Sequence, residues 1–84
     1  MNVYFITFRS VTLAQRGEGV LQKAGVRCSL QRTPRWMEEQ GCGYCLRLRT
    51  ADAGAAAGLL REGRVVFRKI YIQHPDGNVV EVAL

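Results

Sequence analysis

Apolar and polar positions along this chain follow two different periods. Val3 to Phe8 is apolar on both parities, which predicts a strand covered on both faces near the centre of a sheet. Leu13, Ala14, Gly17, Val20, Leu21 and Ala24 then recur at steps of three and four, the spacing of one helix face. Ser10 is a good N-cap for that helix, and Gly25 suits a left-handed stop after it. Val26, Cys28 and Leu30 alternate with Arg27, Ser29 and Gln31, the pattern of a half-buried strand. Thr33 to Gly41 reads as a long loop, with a proline near its start and a glycine at its end.

Alternation returns at Tyr44, Leu46 and Leu48, interleaved with Cys45, Arg47 and Arg49, predicting a third strand. Asp52 favours the start of a second helix over Ala53 to Arg61, anchored by Leu59 and Leu60 and ended by Gly63. Val65 to Gln73 predicts a fourth strand. Pro75-Asp76-Gly77-Asn78 is a tight-turn signal, and Val79 to Val82 supplies a fifth, short strand. The order β-α-β-β-α-β-β predicts an α+β fold: a ferredoxin-like βαββαβ two-layer sandwich with an additional C-terminal strand forming a hairpin. Right-handed crossovers would place both helices on one sheet face.

At 84 residues the chain fits a single domain, 1–84, with no linker or internal repeat. A chain of this length buries only about 60–65% of its unfolded surface. It leaves little room for a deep cleft, so a carrier or accessory protein suits it better than a stand-alone enzyme. The net charge of +5 comes mostly from arginine, spread along the chain rather than in a block, and favours anionic partners. A GC-rich coding sequence would give the same spread. No apolar run reaches the roughly 20 residues of a membrane span, and Met1 to Phe5 does not read as a signal peptide. With 3 cysteines, an odd number, the chain suits free thiols in a reducing, cytoplasmic setting.

Gly41-Cys42-Gly43-Tyr44-Cys45 concentrates the chemistry. Two cysteines stand at C-x-x-C spacing, with arginines following Cys45 at every second residue. Nearby cations favour the nucleophilic thiolate, and glycines leave backbone N–H groups uncovered beside Cys42. Alternation puts Cys45 on the face shared with Arg47 and Arg49, the face turned from the helices, where it is expected to be accessible. The motif opens a strand, unlike the helix-opening thioredoxin motif. A disulfide between Cys42 and Cys45 requires the turn to fold back, and the spacing leaves this open. The bland alternative is that these cysteines are compact apolar residues at a strand start.

Other chemistries are less well supported. Cys28 shares its parity with Val26 and Leu30 and reads as core. Cys28, Cys42, Cys45 and His74 make at most half a zinc pattern, so neither a metal nor another cofactor is expected. His74 precedes the tight turn as a solvated loop residue. The third strand lacks the aromatic signature of an RNA-binding sheet, which speaks against nucleic acid, and Tyr44 falls on the core parity. Trp36 is either a loop anchor for a partner protein or a pin holding the loop to the sheet.

Phe5-Ile6-Thr7-Phe8-Arg9-Ser10, Ala24-Gly25-Val26, Pro34-Arg35 and Cys42-Gly43-Tyr44-Cys45 together resemble the selenium/sulfur (Se/S) carrier protein-like family of small bacterial proteins. Thr7-Phe8-Arg9-Ser10 looks like that family's entry from strand to helix, and Pro34-Arg35 followed by Cys42-Gly43 like its second element. The likeness covers residues 3–71 and leaves 74–84 as an extension. It implies a carrier whose Cys42 holds sulfur or selenium as a persulfide or selenylated thiol. Cys45 would then resolve or release the cargo, and Gly43, Arg47 and Arg35 would stabilise the anion. Donor and acceptor proteins would be its partners. The competing expectation is a non-catalytic ferredoxin-like interaction or regulatory module, binding a protein or small ligand or pairing as a homodimer.

Overall fold

The computed structural model describes residues 2–34 and 43–83. Its elements are β1 (Asn2–Thr7), α1 (Val11–Lys23), β2 (Cys28–Arg32), β3 (Tyr44–Thr50), α2 (Ala53–Glu62), β4 (Ile70–Gln73) and β5 (Val79–Val82). The strands form one sheet in the order β2-β3-β1-β4-β5, and every neighbouring pair is antiparallel. The strand that is apolar on both parities, β1, lies at the centre.

Register separates the two sheet faces. Ile6 stands opposite Leu46 and Ile70, and Leu46 opposite Leu30. Tyr4, Ile6, Leu46, Leu48 and Ile70 join one buried cluster with Ala14 and Leu21 of α1 and Ala53, Ala56, Ala57 and Leu60 of α2. Both helices therefore cover the same face. Thr7, Cys45 and Gln31 form a row on the other face, and Phe5, Arg47 and Ser29 form the next.

The helix ends follow the signals in the chain. Ser10 Oγ accepts the Leu13 N–H at 3.1 Å, and Asp52 Oδ1 accepts the Ala55 N–H at 3.1 Å. Gly17 lets α1 approach the sheet: a Cβ there would stand 3.0 Å from Phe8 Cζ and 3.3 Å from Leu46 Cδ1. The α1 exit is a left-handed cap at Gly25 (φ 84°). Val26 N–H donates to Leu21 O at 2.9 Å and Gly25 N–H to Gln22 O at 3.0 Å.

The exit of α2 repeats that geometry without glycine in the left-handed position. Val65 N–H donates to Leu60 O at 2.8 Å and Arg64 N–H to Arg61 O at 3.0 Å. Gly63 is the C-cap at φ −77°, and the left-handed residue is Arg64 at φ 58°. An L side chain in that region costs about 1 kcal/mol or more relative to glycine.

Two strands are shorter than the pattern predicts. The ladder of β2 starts at Cys28, not Val26, because the chain is still leaving the Gly25 cap. The ladder of β4 starts at Ile70, not Val65. Arg68 N–H donates to Thr7 O at 2.8 Å, and Thr7 N–H donates to Lys69 O at 2.9 Å. Lys69 N–H also donates to Thr7 Oγ1 at 3.1 Å. Two residues thus face one, as in a bulge, and regular pairing begins only beyond them. The β4–β5 turn closes as expected: Gly77 has φ 93°, and Asp76 Oδ1 accepts the Asn78 N–H at 2.9 Å.

Candidate functional site

The loop carrying the candidate thiol springs from the end of the β2–β3 ladder. That ladder runs from Cys28 opposite Leu48 to Arg32 opposite Tyr44. One more hydrogen bond, from Thr33 N–H to Gly43 O at 2.9 Å, closes the base of the loop. Thr33 is buried. Gly43 has φ 84°, a conformation that any L side chain would strain, so the extended path of β3 ends there. Arg32 stacks over Tyr44, its Cζ 5.6 Å from the ring centroid. Tyr44 is on the helix-side parity but half-exposed at the ladder's end, so its partner is a cation rather than the core.

Arg35, Trp36 and Cys42 lie outside the described residues.

Cys45 lies on the face predicted for it. It stands opposite Thr7 on one side and Gln31 on the other, one row from Arg47 and two from Arg49. The expectation that it is accessible is overturned, because Cys45 is 0% exposed. Alternation fixes the side of a sheet but not what covers it. Cys45 is on an interior strand, between β1 and β2. Arg47 is half-exposed and its Cα is about 7 Å along the strand from that of Cys45.

Cys28 sits on the opposite, helix-covered face, packed at the margin of the core. Its Sγ donates to the Glu18 backbone carbonyl at 3.8 Å. Burial, and then the Glu18 charge, push its thiol up to about 11. A thiol so shifted is protonated at neutral pH and is a poor nucleophile.

Register also separates the residues that might have shared a metal. Cys28 and Cys45 point to opposite faces. His74 follows Gln73, which pairs with Val3 beside Arg49, at the far end of the sheet from Cys45. The two rows are four strand steps, or about 13 Å, apart. Among the described residues no three metal-ligating side chains cluster. His74 accordingly cannot serve as a base for a thiol near Gly43 without the sheet end moving. No helix of the described residues is long and apolar enough to cross a membrane.

The sequence reading missed Thr7, whose hydroxyl joins β1 to the entry of β4, and Arg64. Only tertiary contact reveals the first. A non-glycine residue directly after Gly63 was the available signal for the second.

Fold and site together define a small α+β frame in which Thr33 and Gly43, flanking the Cys42 segment, are tied at the end of an antiparallel sheet. The chain belongs to the family described as "Putative Se/S carrier protein-like", whose model matches residues 3–72. That stretch spans β1 to most of β4 and includes Cys42, Gly43, Cys45 and Arg47. No curated protein and no solved structure matches the chain.

Proposed function

We propose that this protein is a sulfur or selenium carrier that loads its cargo on Cys42. The observation that carries the reading is membership of the Se/S carrier-like family over residues 3–72, a stretch that includes Cys42 and the pinned Gly43 that follows it in sequence. The strand order β2-β3-β1-β4, with both helices on one face, supports a ferredoxin-like frame to which β5 adds an edge strand. The stretch 1–84 acts as one carrier unit, with 74–84 as its extension. An odd number of cysteines suits work in the reducing cytoplasm.

The chemistry is thiol exchange. The Cys42 thiolate attacks the terminal sulfur of a donor protein's persulfide. The donor's S–S bond breaks, its thiolate leaves, and Cys42 carries the new persulfide. An acceptor thiolate then attacks the same terminal sulfur and returns Cys42 as thiolate. Selenium follows the same course from a selenylated donor. Gly43 leaves its backbone open to the anion, Arg47 and Arg35 supply positive charge, and Trp36 contacts the donor or acceptor.

Cys45 is a protected second thiol. Once the face over it opens, its thiolate attacks Cys42 Sγ and expels hydrogen sulfide, leaving a Cys42–Cys45 disulfide that a dithiol reductant reopens. The turn at Gly43 favours such an approach over a straight strand, on which the two sulfurs would diverge.

Intact mass after exposure to a persulfide donor, and separately to selenite with glutathione, tests the reading. Wild type gains a reducible sulfur or selenium atom. Cys42→Ser does not, and Cys45→Ser loads but releases slowly. Equal loading of wild type and Cys42→Ser would sink the proposal.

A further inference from the structure

At the exit of α2 the chain opens a groove of about 520 Å³, lined by Arg61, Arg64, Val65, Val66, Phe67 and Arg68. It lies on the segment between α2 and β4, where Arg68 N–H donates to Thr7 O in the strand row of Cys45. Val66 is a large apolar side chain left 65% exposed there. Arg61 stacks over Phe67, its Cζ 5.6 Å from the ring centroid, which holds the guanidinium over the groove's aromatic wall. Lys69 pairs with Glu81 at 3.7 Å. Arg61, Arg64 and Arg68 form no ion pair with any carboxylate of the described residues.

A helix C-terminus attracts cations, so the helix dipole alone explains a basic residue at Arg61. It does not explain Arg64. The two helices end in the same pair of hydrogen bonds, and α1 places Gly25 in the left-handed position while α2 places Arg64 there. Holding an arginine where glycine is best is backbone strain, and such strain points to a side chain retained for a task. Nor does the dipole account for Arg68, which lies beyond the last turn on the approach to β4.

We propose that this groove docks an acidic segment of a partner protein, its carboxylates on Arg61, Arg64 and Arg68 and one apolar side chain against Val66 and Phe67. Three cations around an exposed apolar floor match an acidic peptide with a hydrophobic anchor better than a free inorganic anion, which would leave Val66 uncovered. The inference does not depend on any reaction at Cys42.

The test uses a fluorescein-labelled peptide of aspartates and glutamates around a central leucine, titrated with the full chain by fluorescence anisotropy. Saturable binding is expected for wild type. Arg64→Gly, Arg61→Gln and Arg68→Gln each weaken it about threefold, while Arg27→Gln, remote from the groove, leaves it unchanged. Replacing the peptide's leucine by aspartate also weakens it. Arg64→Gly carries the sharpest expectation, because it raises Tm by roughly 4–8 °C as it loses affinity. The proposal falls if Arg64→Gly binds as tightly as wild type, or if no saturable binding occurs. It also falls if inorganic phosphate or a single-stranded oligonucleotide displaces the peptide at lower concentration than an unlabelled copy does.

Discussion

The Glu18 carboxylate of α1 accepts the backbone N–H of Leu30 at 3.2 Å, on the outer edge of β2. Leu30 already pairs with Leu46 on its inner side, so the helix satisfies a donor that the sheet cannot. Unpaired edge donors invite pairing with other chains, and a carboxylate placed on one blunts that edge. Glu18→Ala should therefore lower stability by about 1–2 kcal/mol and increase self-association, read by urea unfolding and by light scattering. Unchanged stability together with unchanged scattering would show that the contact has no such role.

Glu18 also sets the behaviour of Cys28, whose thiol burial and the Glu18 charge push up to about 11 from an ordinary 9.0. The unfolded chain loses this proton first as pH rises. Between about pH 9 and 11 the folded state binds more protons than the unfolded, so stability falls across that window and is fully present below it. With solvent screening at this half-buried site the loss is about 1 kcal/mol. Urea midpoints at pH 8 and pH 10.5 check it: the drop should be smaller in Cys28→Ala than in wild type.

Gly17 and Gly19 belong to the same helix but should respond oppositely to alanine. A Cβ at Gly19 meets nothing within 4 Å, so Gly19→Ala should stabilise by about 1 kcal/mol through helix propensity. At Gly17 the Cβ presses on Phe8 and Leu46, both fully buried, and overpacking of about 1–3 kcal/mol exceeds the same propensity gain. Gly17→Ala should lower Tm where Gly19→Ala raises it. Equal shifts would mean that Phe8 yields freely.

Burial of Cys45 sets the order in which the thiols react. In native buffer Cys42 should alkylate first, Cys28 slowly and Cys45 last, with Cys45 matching the others only in denaturant. Peptide mapping after timed alkylation measures this. Early labelling of Cys45 would contradict its burial.

Much of the frame was legible from the chain because its signals are local. Ser10, Asp52 and Gly25 act on backbone groups a few residues away, and the Pro75–Asn78 turn is likewise self-contained. Alternation correctly put Cys45 on the face of Arg47 and Arg49, since the period of a strand is geometric. The burial of Cys45 was not legible, because alternation fixes the side of a sheet and not what covers it. The late start of β4 depends on Thr7 meeting Lys69 across the sheet, and no local pattern encodes that meeting. Arg64 defeated the glycine rule at a helix end, taking the left-handed position one residue after Gly63. Of the candidate site, Gly43 and Arg47 stand where alternation and turn chemistry put them, while Arg35, Trp36 and Cys42 fall outside the described residues.

The hydrogen bond between Thr33 and Gly43 has a consequence for how such a chain can diversify. It fastens the two ends of the connection to each other, so the sheet does not rely on the length of what lies between. Closing a loop of twice the length costs only about 0.6 kcal/mol more. Relatives can therefore lengthen, shorten or rewrite the tip, and so change what it recognises, while inheriting the same foundation unaltered.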